Sequence, residues 1–262
     1  MKLKDRVAVI TGGAIGIGAA TASLFASEGA KIALIDIDAN RGKKTCHEIQ
    51  DQCGSCKFYT ADVGNGKQAS QVTGQIMEDF THVDILVNNA GIWRPGRVID
   101  LDEKTWDSVI NTNLKGVFLI SKYILPSMIK ARQGVVINVA SVAGLVGAQD
   151  ASAYASSKGG IVNLSRSMAL DFAPYNIRVN CLCPGMTDTA QGDSVVGHYK
   201  PETDPTEAKR TWQPLQHVGT PDDIAKAALY MASDDSGLFF GKGGDGEVVF
   251  LKLVHDIGYV LC

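Results

Sequence analysis

Short β-branched runs alternate with longer helical stretches from one end of this chain to the other. The spacing predicts strands at Val7–Ile10, Ile32–Asp36, Phe58–Ala61, Ile85–Asn88, Val135–Val139 and Ile177–Leu182. These runs are brief, continuous and apolar, as strands covered on both faces must be. Helical periodicity fills the intervals, at about Gly16–Glu28, Asn40–Gln52, Gln68–Phe80, Glu103–Lys130, Ala153–Ala173 and Asp222–Ala232. Parallel strands cannot be joined by tight turns and need crossovers, which helices supply. The pattern therefore specifies an α/β fold, a doubly wound parallel sheet with helices on both faces. No repeat and no Pro/Gly linker divides the 262 residues, so one domain over 1–262 is expected.

Charge narrows the functional classes. Lys and Arg number 25 against 28 Asp and Glu, a formal charge of -3. Such a balance gives no electrostatic footprint for nucleic acid or an anionic membrane. Apolar stretches such as Val7-Ala8-Val9-Ile10 are far shorter than a membrane span or a signal-peptide core, so a cytoplasmic protein is expected. Six cysteines do not make a disulfide scaffold in a chain of this size. Cys53-Gly-Ser-Cys56, with Cys46-His47 nearby, has redox or metal spacing but no second close pair to complete a zinc site. The cluster reads as free thiols on a loop, and no metal is expected.

The first strand runs into Thr11-Gly12-Gly13-Ala14-Ile15-Gly16-Ile17-Gly18, and a helix follows. Glycines permit a tight turn and close approach of backbone to a pyrophosphate, and the helix N-terminus offers free N–H groups. Flavoproteins, methyltransferases and plain tight turns share this pattern. Asp36 ends the second strand 18 residues beyond Gly18, where a carboxylate can accept from ribose hydroxyls and repel a 2′-phosphate. Asp62-Val63 and Asn88-Asn89-Ala90-Gly91 follow the third and fourth strands on the same rim, although Asx and Gly are also what ordinary turns are made of. Ser141 follows the fifth strand, and Tyr154 and Lys158 lie four residues apart at the start of the next helix, on one face. An ammonium so placed can lower a phenol pKa from its free value of about 10, and a serine hydroxyl can hold a substrate oxygen.

Together these residues, with Asn113 and Pro184-Gly185, resemble the short-chain dehydrogenase/reductase family in order and in spacing, including thirteen residues from Ser141 to Tyr154. The resemblance runs from about Lys4 to Gly241 and implies a single Rossmann-type domain that transfers hydride between a nicotinamide cofactor and an alcohol or carbonyl. It makes Tyr154 the general acid/base, Ser141 the group orienting the substrate oxygen, and Lys158 a ribose ligand that lowers the tyrosine pKa. Asn113 would hold a water of a proton relay. Gly12, Ile15, Gly16 and Ile17 would meet the cofactor through backbone, with Asp36 on the adenosine ribose. Asp62 and Val63 would hold the adenine, and Asn89, Ala90 and Gly91 the adenosine side. Pro184, Gly185, Thr187 and Thr189 would border the nicotinamide. Asp36, with the uncharged Ile15 where NADP enzymes of the family often carry a basic residue, implies NAD.

Two segments depart from this pattern. The stretch 186–215 carries Pro201, Pro205 and Pro214 and is expected to form a substrate lid, with Trp93, Gln149, Met186 and Trp212 lining the pocket. In the tail, Lys242-Gly-Gly-Asp-Gly-Glu247 intervenes where the family runs into its last strand, so 242–262 is atypical. The helices Glu103–Lys130 and Ala153–Ala173 are too apolar for solvated faces, and the family pairs them between subunits, implying a homo-oligomer, a tetramer or a dimer. The functional expectation is an NAD-dependent dehydrogenase of secondary alcohols. Alternatives are an NADH-dependent carbonyl reductase of 3-ketoacyl type and a non-catalytic NAD-binding regulatory protein.

Overall fold

The computed structural model describes residues 1–52, 54–212 and 216–236. Its six strands are β1 (Val7–Thr11), β2 (Lys31–Asp36), β3 (Ser55–Thr60), β4 (Ile85–Asn88), β5 (Gly134–Val139) and β6 (Ile177–Leu182). All neighbours are parallel, in the order β3-β2-β1-β4-β5-β6. Every residue of β1, β4 and β5 is buried. Their alternation divides the core in two: Ala8, Ile10 and Leu34 face one side of the sheet, and Val7, Val9 and Ile35 the other.

The first layer is built by α1 (Gly16–Ser27) and α9 (Pro221–Ala232), which pack together through residues such as Phe25, Ile224 and Leu229. On the opposite face, α3 (Gly66–Phe80), α5 (Gly116–Ala131) and α6 (Ser152–Phe172) contribute Ile76, Ile120 and Met168. Helix α2 (Ala39–Asp51) packs beside β3. Because β1 lies between β2 and β4, the chain reverses direction across the sheet there, and a crevice opens at the strands' C-terminal ends. This is the expected doubly wound architecture.

Three local features differ from the sequence reading. Strand β3 starts at Ser55, earlier than the expected Phe58, so Cys56 is a buried strand residue facing the buried Cys46 of α2. These thiols are therefore not on a loop; burial pushes both pKa values up, and Cys53 lies outside the described residues. The expected single helix Glu103–Lys130 is two, α4 (Glu103–Ile110) and α5, joined through a wide π-type turn at Asn111–Lys115. Such turns cluster at functional sites, and this one rotates Asn113 into the core, where it is fully buried. Finally, the stretch after β6 is not an irregular loop: it forms α7 (Ala190–Tyr199) and α8 (Pro205–Thr211). Asp204 caps α8, with Pro205 at its first position, the arrangement that starts a helix most readily. The expected tail 242–262 lies outside the described residues.

A buried polar row crosses the layer between β4, β5 and α6. Asn88 Nδ2 donates to Asn138 Oδ1 at 2.8 Å and to Ser121 Oγ at 3.0 Å, and Asn138 Nδ2 donates to Ser165 Oγ at 2.9 Å. A buried polar group stripped of its partner costs about 1–3 kcal/mol. Asn138→Ala should therefore destabilise the protein by about that amount, read as a lowered urea midpoint with an unchanged denaturant slope.

Candidate functional site

At the crevice, Gly12 adopts φ +64° and Gly16 φ +59°, conformations that side-chain-bearing residues rarely enter. A Cβ on Gly12 would sit 2.7 Å from Ala90 Cα, and one on Gly18 2.1 Å from the Gly12 carbonyl oxygen. Asn89 props this turn rather than facing outward: its Nδ2 donates to the carbonyls of Thr11 (3.1 Å) and Gly12 (2.9 Å). Thr11 Oγ1 in turn accepts from the backbone N–H groups of Asn89 and Ala90. Side chains cap α2, α3, α4, α7, α8 and α9, whereas α1, like α5 and α6, has no side-chain cap. Its N-terminus, at Gly16 and Ile17, lines the cleft, so unsatisfied N–H groups and the positive dipole end are left for an anion.

Asp36 stands at the end of β2 with its carboxylate fixed from two sides, Oδ2 accepting from Ala14 N–H and Oδ1 from Asp38 N–H, each at 2.9 Å. Asp62 Oδ1 accepts from Gly64 N–H at 2.9 Å, which shapes the turn that presents Val63 to the cleft. Arg41 also lines this end and approaches Asp38 at 3.7 Å. Sequence reasoning missed it, since nothing in one chain distinguishes an arginine in the first turn of α2 from a solvated one.

At the other end, Ser141, Tyr154 and Lys158 converge. Lys158 is buried; its Nζ donates to the Val139 carbonyl at 2.8 Å and lies 5.7 Å from the Tyr154 ring centroid. Loss of hydration pulls the Lys158 pKa down to about 8, against some support from Cys181 and Cys183. Burial pushes the Tyr154 phenol above its ordinary value, opposed by hydrogen bonding to Ser141 and Gln191. Burial is thus the larger influence on the phenol in the protein alone, whereas the expected lowering by Lys158 concerns the complex with a bound nicotinamide. Asn113 is the one expected residue that does not line the cleft. Its Nδ2 donates to Ile92 O and Ser157 Oγ, and its Oδ1 accepts from Ile92 N–H, so the side chain braces α6 and the loop after β4.

The remaining expected residues gather around one cleft of about 1400 Å³, including Gly12, Ile15, Ala90, Gly91, Pro184, Gly185, Thr187 and Thr189. Thr189 caps α7 through Gly192 N–H, and Thr187 Oγ1 donates to Gly185 O, so both hydroxyls serve the turn itself. Asp188 and Asp193 grip the buried Lys209 of α8 at 2.5 and 2.6 Å. Trp93, Gln149, Met186 and Trp212 line the same end, as expected, and Val195, Tyr199 and Lys200 join them. The last three were missed because Val195 and Tyr199 lie in α7 and Lys200 caps its C-terminus, a helix that the proline-rich sequence did not reveal. Among the described residues, no three or more His, Cys, Asp and Glu side chains gather as metal ligands would, and no helix is long and apolar enough to cross a membrane.

A model of the short chain dehydrogenase family matches residues 6–199. The chain belongs to this family. It is 36% identical over 254 residues to a 3-oxoacyl-[acyl-carrier-protein] reductase of Thermotoga maritima, covering 95% of this chain and 100% of the relative. It is 33% identical over 260 residues to a cyclopentanol dehydrogenase of Comamonas sp., covering 98% of each chain. The crystal structure of an NAD+-bound xylitol dehydrogenase superposes with a TM-score of 0.86 at 30% identity, covering 92% of this chain and 97% of that one. The protein is thus an oxidoreductase of a family that uses a nicotinamide cofactor.

The cleft fits such a dinucleotide. It offers a side-chain-free glycine turn, an uncapped helix end and a rigid carboxylate at one extremity, and a buried ammonium at the other. Gly18→Ala tests the first of these, since the new methyl would meet backbone rather than a flexible side chain. Calorimetric titration should show affinity for the nicotinamide dinucleotide reduced at least tenfold with the fold retained by circular dichroism.

Proposed function

We propose that the protein is an NAD-dependent dehydrogenase of secondary alcohols, running in reverse as a ketone reductase, with Tyr154 as general acid/base. The observation that carries this reading is the convergence of Ser141, Tyr154 and Lys158 at one end of a cleft whose other end holds Asp36. A binding module has no use for an acid/base group at that position.

A bound nicotinamide would supply the hydride acceptor for oxidation, the donor for reduction, and a positive charge near the phenol. The glycine turn and the α1 N-terminus would hold the pyrophosphate, Asp36 the adenosine ribose, and Asp62 and Val63 the adenine. Lys158 Nζ would hold the nicotinamide ribose, using protons not committed to Val139 O. Pro184 to Thr189 would border the nicotinamide, and 186–215 would act as the lid. In alcohol oxidation, Ser141 Oγ donates to the substrate oxygen and fixes it beside Tyr154 Oη, which takes the hydroxyl proton. Proton transfer by a positioned side chain is worth about 10²–10⁴-fold in rate. The Asn113 side chain is engaged with Ile92 and Ser157, so its part in a proton relay would fall to its backbone carbonyl.

Tyr154→Phe keeps the ring and removes the proton carrier. Turnover should fall by about 10²–10⁴-fold while NAD affinity stays within twofold. Ionisation of the phenol is required for oxidation, so kcat/KM with an alcohol should rise with pH and level off. The controlling pKa should lie below a free tyrosine's roughly 10, with reduction showing the opposite limb.

The rigid Asp36 carboxylate supports NAD over NADP, because a 2′-phosphate would meet a fixed negative charge. Arg41 is the cation on the same rim, so Asp36→Ala should narrow the preference by an order of magnitude or more, measured as the NAD/NADP ratio of kcat/KM.

A homo-oligomer, a tetramer or a dimer, accounts for large apolar side chains left on the α4–α6 surface. Phe118 on α5 is 49% exposed and Leu170 on α6 is 55% exposed. Light scattering at micromolar concentration should give two or four times the 27.8 kDa of one chain, and Phe118→Glu with Leu170→Glu should reduce it.

A further inference from the structure

The reactive end of the cleft is walled by rings. Trp93, from the loop after β4, and Tyr199 and Trp212, from the end of α7 and just beyond α8, all line it. Their centroids form a continuous chain: Trp93 to Tyr199 is 6.4 Å and Tyr199 to Trp212 is 5.5 Å, tilted and edge-on respectively. His198 does not line the cleft but wedges the wall from behind, edge-on to Trp93 at 5.6 Å and to Tyr199 at 4.8 Å. The wedge is tied down, His198 Nε2 lying 3.3 Å from Asp150 Oδ2. Tyr199 is tied too, its hydroxyl donating to the Gln149 carbonyl, so its polar end is spent on protein.

Among the described residues, charge is scarce at this end. Of the lining side chains, Asp188 pairs with Lys209 through Oδ1, Lys158 belongs to the acid/base pair, and Lys200 donates to Thr211. Gln149 and Gln191 also line the cleft, Gln191 within hydrogen-bond reach of Tyr154, but the three rings themselves offer a substrate hydroxyl little, whereas a flat apolar body would find faces and edges to pack on.

We infer that this site takes cyclic, largely apolar secondary alcohols and their ketones, and that Trp93, Tyr199 and Trp212 determine that specificity. The inference rests on the dehydrogenase reading above and deepens it. The ring of the substrate lies against the aromatic wall while its carbinol oxygen reaches Ser141 and Tyr154. A flexible open-chain alcohol must order its bonds to lie there, and an acyl thioester must in addition carry its polar arm past the same rings. Both should be poorer substrates than a ring of equal carbon number.

The experiment compares NAD reduction with cyclohexanol, 2-hexanol and an N-acetylcysteamine thioester of 3-hydroxybutyrate, using wild type, Trp212→Ala and Tyr199→Phe. Wild type should favour cyclohexanol over 2-hexanol and over the thioester by at least tenfold in kcat/KM. Trp212→Ala should bring the ring/open-chain ratio near one through a raised KM for cyclohexanol, with NAD affinity within twofold of wild type. Tyr199→Phe keeps the ring and should retain the preference. A second readout does not depend on turnover. Two of the three tryptophans line the cleft, so in a Trp106→Phe background cyclohexanone added to protein saturated with NAD should quench intrinsic fluorescence, and 2-hexanone should do so only at tenfold higher concentration. Preference for 2-hexanol or for the thioester, or a ring preference untouched by Trp212→Ala, would overturn the inference while leaving the dehydrogenase reading intact. Absence of turnover with all three compounds, without quenching by either ketone, would overturn both.

Discussion

The buried ammonium of Lys158 is the group around which the site is shaped. Removing an ammonium from water costs several kcal/mol even after relaxation, and here the hydrogen bond that partly offsets it goes to a neutral acceptor, the Val139 carbonyl. That bond ties the end of β5 to the first turns of α6, and so fixes the separation between Ser141, which follows β5, and Tyr154, which begins α6. Neighbouring backbone has to stay clear of the same lysine. A Cβ on Gly144 would stand 2.6 Å from the Lys158 carbonyl oxygen, and one on Gly91 3.4 Å from Nζ. Asn113, turned inward by the π-type turn, then locks the loop carrying Gly91 and Ile92 against Ser157 on α6.

The cleft is consequently unbalanced before anything binds. Desolvation lowers the lysine and raises the tyrosine, which in the protein alone disfavours the ionised pair that the proposed alcohol oxidation would use. Both strains run in the direction that a dinucleotide would relieve: ribose hydroxyls can accept from Nζ, and a cationic ring favours a phenolate. In the proposed mechanism, base strength appears when the cofactor is in place, which couples binding to competence. The Lys209 clamp on Asp188 and Asp193 places a second constraint on the same region. It joins α8 to α7 and to the turn that would border the nicotinamide, with a side chain only 1% exposed.

Much of this was legible in the sequence because the fold brings C-terminal strand ends to one rim. Gly12 to Gly18, Asp36, Asp62, Asn89 and Ser141 each follow or end a strand, so reading the strands was enough to gather them. Helical spacing put Tyr154 and Lys158 on one face, but only the whole motif set and its family resemblance marked the pair as functional. What escaped depended on geometry that periodicity does not carry. The 3.6-residue pattern runs smoothly through Asn111–Lys115, since widening one turn by a residue barely changes which residues are apolar. Cys56 was placed on a loop because Ser55 to Lys57 lacks β-branched residues, yet pairing with β2 draws it into the sheet. Helices α7 and α8 are short and proline-flanked, stabilised by caps and by the Lys209 ion pairs rather than by a long apolar stripe. Their contribution to the cleft, Tyr199 and Lys200, was hidden with them.

The central claim is that Tyr154 becomes a base only when the nicotinamide site is filled. Ultraviolet difference titration at the tyrosinate band, wild type minus Tyr154→Phe, measures that ionisation directly with and without saturating NAD. Without NAD, the Tyr154 signal should not appear below the free phenol value of about 10; with NAD, it should titrate clearly below that value. Titration of Tyr154 at the same pH in both conditions would contradict the account.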